Sequence, residues 1–473
     1  MINDMKYKIL LLFCLLNFTA CNSWLDVDLA NKVDEEKLFS KPDGFLDALA
    51  GVYSQMSKTP LYGRTLTMGH IDLFAQYYSY NSMATSYQYY RDYDYQSSVV
   101  LGTFTAIWRN MYACIASVNN ILAWEEKNGG VMTGGLRDRV KGEALALRAF
   151  LHFDLYRMFC ADVTRGPKNQ GIPYNKEFGV SLPPMYTVEE VVQLVINDLE
   201  EAEKLLVNDE IKDVIIYQLG SKDQADEFVA RVNKYTVKAL LARVHQARGD
   251  KKNAIKYAEE VINAPQFRLL NFGSIDQAEQ MTDVLFSDEH LFSLRNKELP
   301  DLSRAIHYAI THESGSWSPA QLPFENVNTL YEGNNDDVRY TKWFNAGNFV
   351  KWVTNNTGNF FPKMPLIKLS EMYLLLADCY YASDHEKALG YINTLRDHRI
   401  RNNVHWYYLT EEYIFEEMCR EYLGEGQLWF VYKRKNKEIP TSGIVGTISP
   451  GDHIFVFPIP MQEIEKGYRE NNQ

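Results

Sequence analysis

Two segments of this chain repeat one pattern of small and large residues, and that pattern restricts how the chain can fold. They read "LLARVHQARGDKKNAIKYAEEVI" at 240–262 and "LLLADCYYASDHEKALGYINTL" at 374–395. Small residues such as Ala242 and Ala377 stand where the two helices of a hairpin would approach each other closely. This is the tetratricopeptide pattern, and such hairpins bury their apolar faces by stacking on one another. The sequence therefore predicts a mostly α-helical protein with stacked helical hairpins as its scaffold.

Further helices are predicted on both sides of the first hairpin. Segment 136–159 repeats apolar residues at steps of three and four, which is typical of a helix. Segment 187–206 begins with Thr187 and has Glu190 three positions later, the signature of a capping box. These two helices are candidates for a looser copy of the hairpin, and a helix over 410–435 would close the array. The apolar stripe of the first helix consists of Val140, Ala144, Leu147, Leu151 and Leu155.

A long excursion separates the two clear hairpins. Ala242 and Ala377 lie 135 positions apart, far more than one repeat. Within this excursion, the aromatic and Asn-Gly content of segment 344–361 predicts short strands with tight turns. Segment 166–184, before the first hairpin, is rich in Gly and Pro and predicts an irregular loop. Long loops on a rigid scaffold commonly carry the function of a protein.

The amino terminus has the features of an export signal. The lysine-bearing head "MINDMKYK" precedes the apolar run "ILLLFCLLNF", which is too short to cross a bilayer. The sequence "FTAC" follows and resembles a bacterial lipobox, in which Cys21 would be lipidated and become the first mature residue. An ordinary cleaved signal with an incidental cysteine is the alternative. No later segment holds 18 consecutive apolar residues.

Composition excludes some classes of function. The chain is 46 % hydrophobic and 23 % charged, which is ordinary for a globular protein, and its net charge of −12 argues against nucleic-acid binding. The four cysteines after Cys21 have no CxxC spacing and lie among apolar neighbours, so buried free thiols are expected. They are Cys114, Cys160, Cys379 and Cys419.

The segment from Tyr77 to Tyr95 holds eight of the 31 tyrosines. A tyrosine ring can stack on the apolar face of a sugar while its hydroxyl forms a hydrogen bond, so such a cluster favours carbohydrate binding. Burial of many of these rings in the core is the open alternative. Trp317 lies in a loop rich in Ser, Gly and Pro, and Trp343 is a further candidate, although packing would also explain it. The predicted ligand-binding residues are Asp72, Tyr78, Tyr80, Asn81, Tyr87, Tyr89, Tyr90, Trp317 and Trp343.

Catalytic chemistry is not suggested by the sequence. There is no HExxH, GxSxG or P-loop pattern, and the ten histidines have no recognisable metal-ligand spacing. We therefore expect neither a cofactor nor a metal. Glu143 with Arg148, and Glu371 with Lys368, are expected to form scaffold ion pairs rather than an acid and base.

A series of short motifs stands in order along almost the whole chain. They are "WLDVDL", "LFSKPDGFLDALAGVYSQM", "LYGRTLTMGHIDLFAQYY", "IWRNMYACIASVNNIL", "GEALALRAFLHFDLYRMF", "LYEGNNDDVRY", "PLIKLSEMYLLLAD", "YINTLRDHR", "EEMCREYLGEGQLWFVYKR" and "FVFPIPMQEI". Taken together and in this order, they resemble a SusD/RagB-type outer-membrane nutrient-binding lipoprotein. The resemblance implies a signal peptide over 1–20, an amino-terminal region over 21–220 and a carboxy-terminal region over 221–473, intertwined in one globular unit.

The same resemblance implies a function. A protein of this family has four tetratricopeptide-like pairs and acts as a surface lid on a SusC-like TonB-dependent β-barrel transporter. It would be held in the outer membrane by its lipid, facing the cell surface, and would capture oligosaccharides, or sometimes peptides, without chemistry. Two alternatives remain open at this point: a lipid-anchored helical-repeat adaptor that binds only peptides or proteins, and a surface glycosidase or peptidase.

Overall fold

The computed structural model describes most of the chain after the amino-terminal 33 residues. The lipidation candidate Cys21 and the ligand-binding candidates Tyr80 and Asn81 lie outside the described residues, as does the side chain of Trp317. The described ranges are 34–79, 85–179, 182–209, 211, 224–276, 283–307, 310–311, 317–318, 324, 326–353, 362–441 and 446–467.

Helices make up most of the described structure. Up to the first tetratricopeptide-like hairpin they are α1 (Pro42–Met56), α2 (His70–Leu73), α3 (Thr85–Arg91), α4 (Ser98–Asn128), α5 (Leu136–Phe159), α6 (Val188–Leu205), α7 (Gln224–Val229), α8 (Lys234–Ala247) and α9 (Lys251–Ile262). After it they are α10 (Leu299–His307), α11 (Val327–Leu330), α12 (Val338–Trp343), α13 (Leu369–Tyr380), α14 (His385–Asp397), α15 (Glu411–Tyr422), α16 (Leu428–Lys435), α17 (Asp452–Phe455) and α18 (Met461–Gly467).

The strands are short and pair two at a time, always antiparallel. They are β1 (Gln170–Pro173) with β2 (Met185–Thr187), β3 (His290–Arg295) with β8 (Lys363–Lys368), β4 (Ile310–Thr311) with β5 (Trp317–Ser318), β6 (Phe344–Asn345) with β7 (Asn348–Phe349), and β9 (Ile439–Pro440) with β10 (Thr447–Ile448). The longest pair is β3 with β8, in which His290 lies opposite Lys368 and Arg295 opposite Lys363. This pairing brings the two ends of residues 290–368 together, so most of the long excursion is a loop between these two strands.

The helical hairpins stack as the sequence predicts. Helix α5 packs on α6, α6 on α8, α8 on α9, α9 on α13 and α13 on α14. The alanines of the repeated pattern are fully buried at these contacts, including Ala242, Ala254 and Ala377. A methyl side chain lets two helix backbones approach closely, so the small residues allow one hairpin to stack on the next. The prediction of a mostly α-helical, hairpin-based fold is confirmed.

Helix α5 begins and ends at the predicted residues, and all five residues of its apolar stripe are 0 % exposed. Polar residues in its second half, such as Arg148 and His152, are buried as well, because α5 is covered by α1, α4, α6 and β1. The guanidinium of Arg148 donates to both carboxylate oxygens of Asp198 on α6, at 2.7 and 2.8 Å. Glu143 instead accepts hydrogen bonds from Arg139 and Arg231. The predicted Glu143–Arg148 pair is therefore wrong.

The second predicted ion pair is also wrong. Glu371 is paired with Arg243 on α8, with two N–O distances of 2.6 Å, while the Lys368 ammonium donates to Glu421 and Glu425. Lys368 belongs to a buried network in which every residue is less than 10 % exposed. Its members are the cations Arg339, Lys351, Lys368 and Arg399 and the carboxylates Asp337, Glu289, Glu417, Glu421 and Glu425.

The segment 410–435 forms two helices, α15 and α16, and not the single helix that was expected. Gly424 and Gly426 lie between them, both with a φ of +72°. This is a left-handed backbone conformation that residues other than glycine rarely adopt. A Cβ atom at Gly426 would also lie 2.3 Å from the backbone oxygen of Leu66. The two glycines therefore end α15 and allow this turn to pack closely against Leu66 in the amino-terminal part of the chain.

Two loop predictions have different outcomes. The hairpin β6–β7 confirms the short strands expected in 344–361 for residues 344–349, while residues 354–361 lie outside the described ranges. Its turn residues Ala346 and Gly347 have φ values of +47° and +81°. The irregular loop expected at 166–184 contains strand β1, so that prediction is wrong for its residues 170–173. Hydrogen bonding to β2, directly before α6, gives this Gly/Pro-rich segment an extended structure.

Two further features complete the scaffold. By length and composition alone, the stretch Ser98–Val131, which contains α4, would pass for a membrane span, but α4 packs on α1 and α5 through a row of buried apolar residues. Such a row is also what a core helix requires. The four predicted free thiols are confirmed as buried and unbridged: Cys114, Cys160, Cys379 and Cys419.

Candidate ligand-binding site

Most rings of the tyrosine-rich segment face the protein interior. Tyr90, Tyr93 and Tyr95 are no more than 9 % exposed, and their ring centroids lie 5.3 to 5.8 Å from that of Phe74. Their hydroxyls also have partners inside the fold: that of Tyr95 donates to the Ile454 carbonyl oxygen at 2.5 Å, and that of Tyr93 to the Phe74 carbonyl oxygen. These tyrosines thus hold the segment against the carboxy-terminal part of the chain.

Tyr87 and Tyr89 would share a face on an extended segment, but they do not do so here. They lie on helix α3, and residues two apart on a helix point in different directions. Tyr87 is half-buried beside His70, and Tyr89 is 38 % exposed. Tyr90, next in the chain, is 1 % exposed and pairs its hydroxyl with that of Thr103 at 2.6 Å. A ligand could therefore reach Tyr89 but not Tyr90.

Asp72 and Tyr78 are also removed from any ligand by burial. They are 1 % and 0 % exposed, and the Tyr78 hydroxyl donates to a carboxylate oxygen of Asp72 at 2.7 Å. The other carboxylate oxygen accepts the Gly426 N–H at 3.0 Å. Burial raises the pKa of the Asp72 carboxyl to about 7, against the opposing effect of these hydrogen bonds.

Trp343 is a packing residue. It is 0 % exposed at the end of α12, its indole N–H donates to the Val284 carbonyl oxygen at 2.9 Å, and the Lys351 ammonium lies 3.5 Å from its ring centroid. The predicted ligand contacts at Asp72, Tyr78, Tyr90 and Trp343 are corrected accordingly, because none presents surface to a ligand. Tyr87 and Tyr89 stay predictions, as do the candidates outside the described residues, which are Tyr80, Asn81 and the Trp317 side chain.

A cleft with a volume of about 390 Å³ opens beside the start of the tyrosine-rich segment. This volume falls within the range of small-molecule sites. Its walls come from residues 75–77, from α11 and the turn after it, from α15, and from the segment that follows α16. Gln76 connects this wall to α3, since its side-chain amide donates to the Arg91 carbonyl oxygen at 3.0 Å.

The cleft combines aromatic rings with charged groups. Its aromatic lining consists of Tyr77, Phe415 and Tyr432. Arg420 spans one wall, donating to Glu332 at 2.6 Å and to the Leu330 carbonyl oxygen at 2.8 Å. The remaining charged lining residues are Glu412, Glu416, Lys437 and Glu438. Burial raises the pKa of Glu416, and its acidic neighbours act in the same direction.

Three further aromatic rings, one exposed and two half-buried, lie on or beside α15, which lines the cleft. Tyr413 lies one helical turn before Glu416 on α15, so the two side chains share a face. Its hydroxyl is 2.9 Å from that of Tyr408, which is 60 % exposed, and its ring also packs on Trp406. The backbone of Trp406 is held by two hydrogen bonds of 3.0 Å with the Asn393 side chain. We call Trp406, Tyr408 and Tyr413 the rim aromatics.

Sequence reasoning missed the rim aromatics and most of the cleft. Tyr77 belongs to the predicted cluster, and the run "HWYYLT" is a signal that could have identified the rim. No local signal links Phe415 or Tyr432 to Tyr77, since more than 300 positions separate them. Larger hollows of about 640 and 490 Å³ exist elsewhere, beside Tyr53 and Tyr373, but neither borders the tyrosine-rich segment. Among the described residues, no cluster of His, Cys, Asp and Glu is arranged to hold a metal ion.

Comparison with known proteins shows what the amino-terminal half of this chain is similar to. Residues 23–234 match the model of a SusD-like family described as starch-binding and associating with the outer membrane. A SusD-like protein of Formosa agariphila is 26 % identical over 196 residues, which are 40 % of this chain and 33 % of that protein. Over these residues the chain is similar to SusD-like proteins.

Solved structures show which fold the chain shares. A SusD superfamily protein from Bacteroides thetaiotaomicron superimposes with a TM-score of 0.71 at 21 % identity, over 92 % of this chain and 100 % of that one. A SusD-like carbohydrate-binding protein from Bacteroides vulgatus has a TM-score of 0.69 at 18 % identity, over 90 % and 96 % of the two chains. Thus the SusD-like fold extends well beyond the residues that match the family model.

Proposed function

We propose that this protein is a cell-surface glycan-binding lipoprotein that captures oligosaccharides and passes them to a SusC-like TonB-dependent transporter. The observation that carries the proposal is the cleft of about 390 Å³, in which aromatic side chains lie beside carboxylates and a guanidinium. Sugars present apolar C–H faces and hydroxyl groups, and this combination of side chains complements both. Starch binding in the description of the matching family, and carbohydrate binding in that of the structural relative, give independent support.

The ligand would enter past the rim aromatics. Tyr408 offers an exposed ring face for stacking. Glu416 and Arg420 lie one helical turn apart on α15, so both would form hydrogen bonds with hydroxyl groups of the same oligosaccharide. Each stacked ring would contribute on the order of 1 kcal/mol, so a few contacts give only weak binding. Weak binding suits a protein that releases its ligand to a transporter.

Glycan binding tests the proposal directly. Protein that begins after Cys21 would be screened against an array of oligosaccharides, and positives would be measured by calorimetry. We expect Tyr408→Ala to weaken binding roughly fivefold and Glu416→Gln to weaken it further. Phe178→Ala is the matched control, because Phe178 is 48 % exposed and does not line the cleft. Equal glycan binding by all variants would show that the binding site is not this cleft. Binding of peptides alone would favour the adaptor alternative.

Anchoring and partnership need separate tests. Lipidation at Cys21 predicts that labelled palmitate is incorporated by the wild-type protein and not by Cys21→Ala, and that only the wild type stays in the outer-membrane fraction. Accessibility to protease on whole cells would show the surface orientation. Co-purification of a TonB-dependent barrel with the wild-type protein would support the transporter hand-off, whereas recovery of the protein alone under mild extraction would count against it.

A further inference from the structure

A second, smaller cavity lies between the helical hairpins and shares no lining residue with the cleft. Its volume is about 70 Å³, and its walls come from α5, α8, α13, α15 and α16. Its lining is unusual in charge, because four cations surround so small a space. They are Arg157, Arg243, Lys433 and Arg434.

The carboxylates around this cavity are already engaged. Both oxygens of Glu371 accept hydrogen bonds from Arg243 at 2.6 Å. Asp162 accepts from the backbone N–H of Thr164 at 3.0 Å and also from its hydroxyl. Arg157 and Arg434 have carboxylate partners of their own just outside the cavity, Asp154 and Asp378. Among the described residues, neither lining carboxylate is hydrogen-bonded to a further cation of the lining.

Lys433 is one such cation. It is 4 % exposed, and within the described part of the chain its ammonium donates only to backbone carbonyl oxygens, those of Arg157 and Cys160, both at 2.6 Å. These carbonyls close the carboxy-terminal end of α5. Burial lowers the pKa of Lys433 to about 8, although attraction by Asp162 and Asp452 acts in the opposite direction.

Arg243 supplies an unused donor. Its Nε and Nη2 atoms bind Glu371 and the Leu366 carbonyl oxygen, but its Nη1 is buried and has no hydrogen-bond partner among the described residues. Arg157 faces the same cavity, and its pKa is lowered by burial, with repulsion from Arg243 adding to the effect. Two guanidiniums and an ammonium thus line one space. Asp154 attracts both guanidiniums, but among the described residues no carboxylate is hydrogen-bonded to all three cations.

The geometry points to a binding site for a small tetrahedral oxyanion of the phosphate or sulfate class, held between Arg243, Arg157 and Lys433. One water needs about 10–15 Å³ of such space, so about 70 Å³ offers roughly five atomic positions, the number of heavy atoms in such an anion. Fixed guanidinium N–H groups match the oxygens of these anions in geometry and charge. A sulfate or phosphate ester at the end of a larger ligand presents the same chemistry.

Calorimetry with a pair of matched variants tests the site. Wild-type protein that begins after Cys21 would be titrated with inorganic phosphate, inorganic sulfate and glucose 6-sulfate at constant ionic strength. We expect one saturable binding event per chain for at least one anion, weakened at least about tenfold in Arg243→Lys, which withdraws the free Nη1. Binding of inorganic anions identifies a free oxyanion as the ligand, and binding of glucose 6-sulfate alone identifies an ester.

Arg148→Lys is the control for this experiment. Arg148 and Arg243 are each 6 % exposed and each grips a carboxylate through two nitrogens, but Nη1 of Arg148 is satisfied by Asn119 and by the Lys176 carbonyl oxygen. Anion affinity should be unchanged in Arg148→Lys. Equal loss in both variants, or no saturable binding in the wild type, would overturn the proposal and leave a water-filled cavity.

A crystal soaked in selenate gives a second readout that does not depend on a variant. Selenium scatters anomalously, so a single peak between Arg243 and Lys433 would locate the anion directly. Peaks confined to surface lysines would contradict the site even if calorimetry detects binding.

Discussion

The hydroxyl of Tyr78 donates a 2.7 Å hydrogen bond to the carboxylate of Asp72, and neither side chain is more than 1 % exposed. Because the second Asp72 oxygen accepts the Gly426 N–H, this carboxyl joins the tyrosine-rich segment to the turn between α15 and α16. Tyr77 of this segment lines the cleft, as do α15 and α16 on the two sides of the turn. The pair therefore fixes the position of one cleft wall relative to another.

The raised pKa of Asp72 predicts a pH dependence of stability. Between the ordinary aspartate pKa of 3.8 and the folded value of about 7, the folded state keeps a proton that the unfolded chain has released. Stability from this group is therefore fully present below pH 3.8 and lost as the pH rises through 7. We expect the difference in unfolding free energy between wild type and Asp72→Asn to change by on the order of 2 kcal/mol from pH 5 to pH 8.

Urea denaturation at both pH values measures this effect. In Asp72→Asn the amide nitrogen can donate to the Tyr78 hydroxyl while the amide oxygen accepts the Gly426 N–H, so the contacts survive without an ionisable group. Asp43→Asn, at an exposed position on α1, is the control and should follow the wild type at both pH values. A parallel pH dependence in wild type and Asp72→Asn would contradict a raised Asp72 pKa.

The buried network around Glu421 predicts a large loss of stability for a small change. Glu421 is 0 % exposed and pairs with Arg399 at 2.9 Å and with Arg339 and Lys368 at 3.1 Å. Glu421→Gln keeps the shape but leaves these cations under-compensated, which should lower the unfolding free energy by about 3–5 kcal/mol. Glu126→Gln, an exposed change of the same type on α4, should alter it by less than about 0.5 kcal/mol. Similar denaturation midpoints for the two variants would show that the network is not held as described.

Local sequence signals anticipated what is determined locally. Helix α5 follows its predicted bounds because an uninterrupted 3.6-residue periodicity ends where the chain turns. The capping box of α6 forms as expected, since Thr187 and Glu190 are one turn apart and bond each other's backbone N–H groups. Such features depend only on residues close in the chain.

Contacts between residues far apart in the sequence could not be predicted in the same way. Glu371 has Lys368 at helical spacing, but its partner Arg243 comes from another hairpin, 128 positions away. Likewise, the number of tyrosines between Tyr77 and Tyr95 does not say which rings have neighbours to pack on. Phe457, whose ring centroid is 5.3 Å from that of Phe74, belongs to the far end of the chain. The number of tyrosines in this segment is unusual, as the sequence shows, but most of the described rings pack in the core.

The turn between α15 and α16 depends on Gly426. In Gly426→Ala the new methyl would meet the Leu66 carbonyl oxygen, and the residue would keep an unfavourable left-handed φ, so we expect a loss of at least about 2 kcal/mol. Gly390→Ala is the opposite case, because Gly390 is exposed within α14 with nothing within 4 Å of an added Cβ atom. It should stabilise the protein by up to about 1 kcal/mol. Chemical denaturation of both variants checks the difference, and equal effects would mean that the turn adapts.

Tyr89 and Tyr90 separate the binding role of the tyrosine-rich segment from its packing role. Tyr90 is 1 % exposed, so Tyr90→Ala empties a packed site and should lower the unfolding free energy by about 3 kcal/mol or more. Tyr89 is 38 % exposed, and Tyr89→Ala should change stability by less than about 1 kcal/mol. If α3 also contacts the glycan, Tyr89→Ala will weaken oligosaccharide binding at unchanged stability, in the same calorimetric assay used for Tyr408→Ala. Unchanged binding in Tyr89→Ala, with binding lost in Tyr408→Ala, would confine the ligand to the cleft and its rim and assign the whole α3 segment to the scaffold.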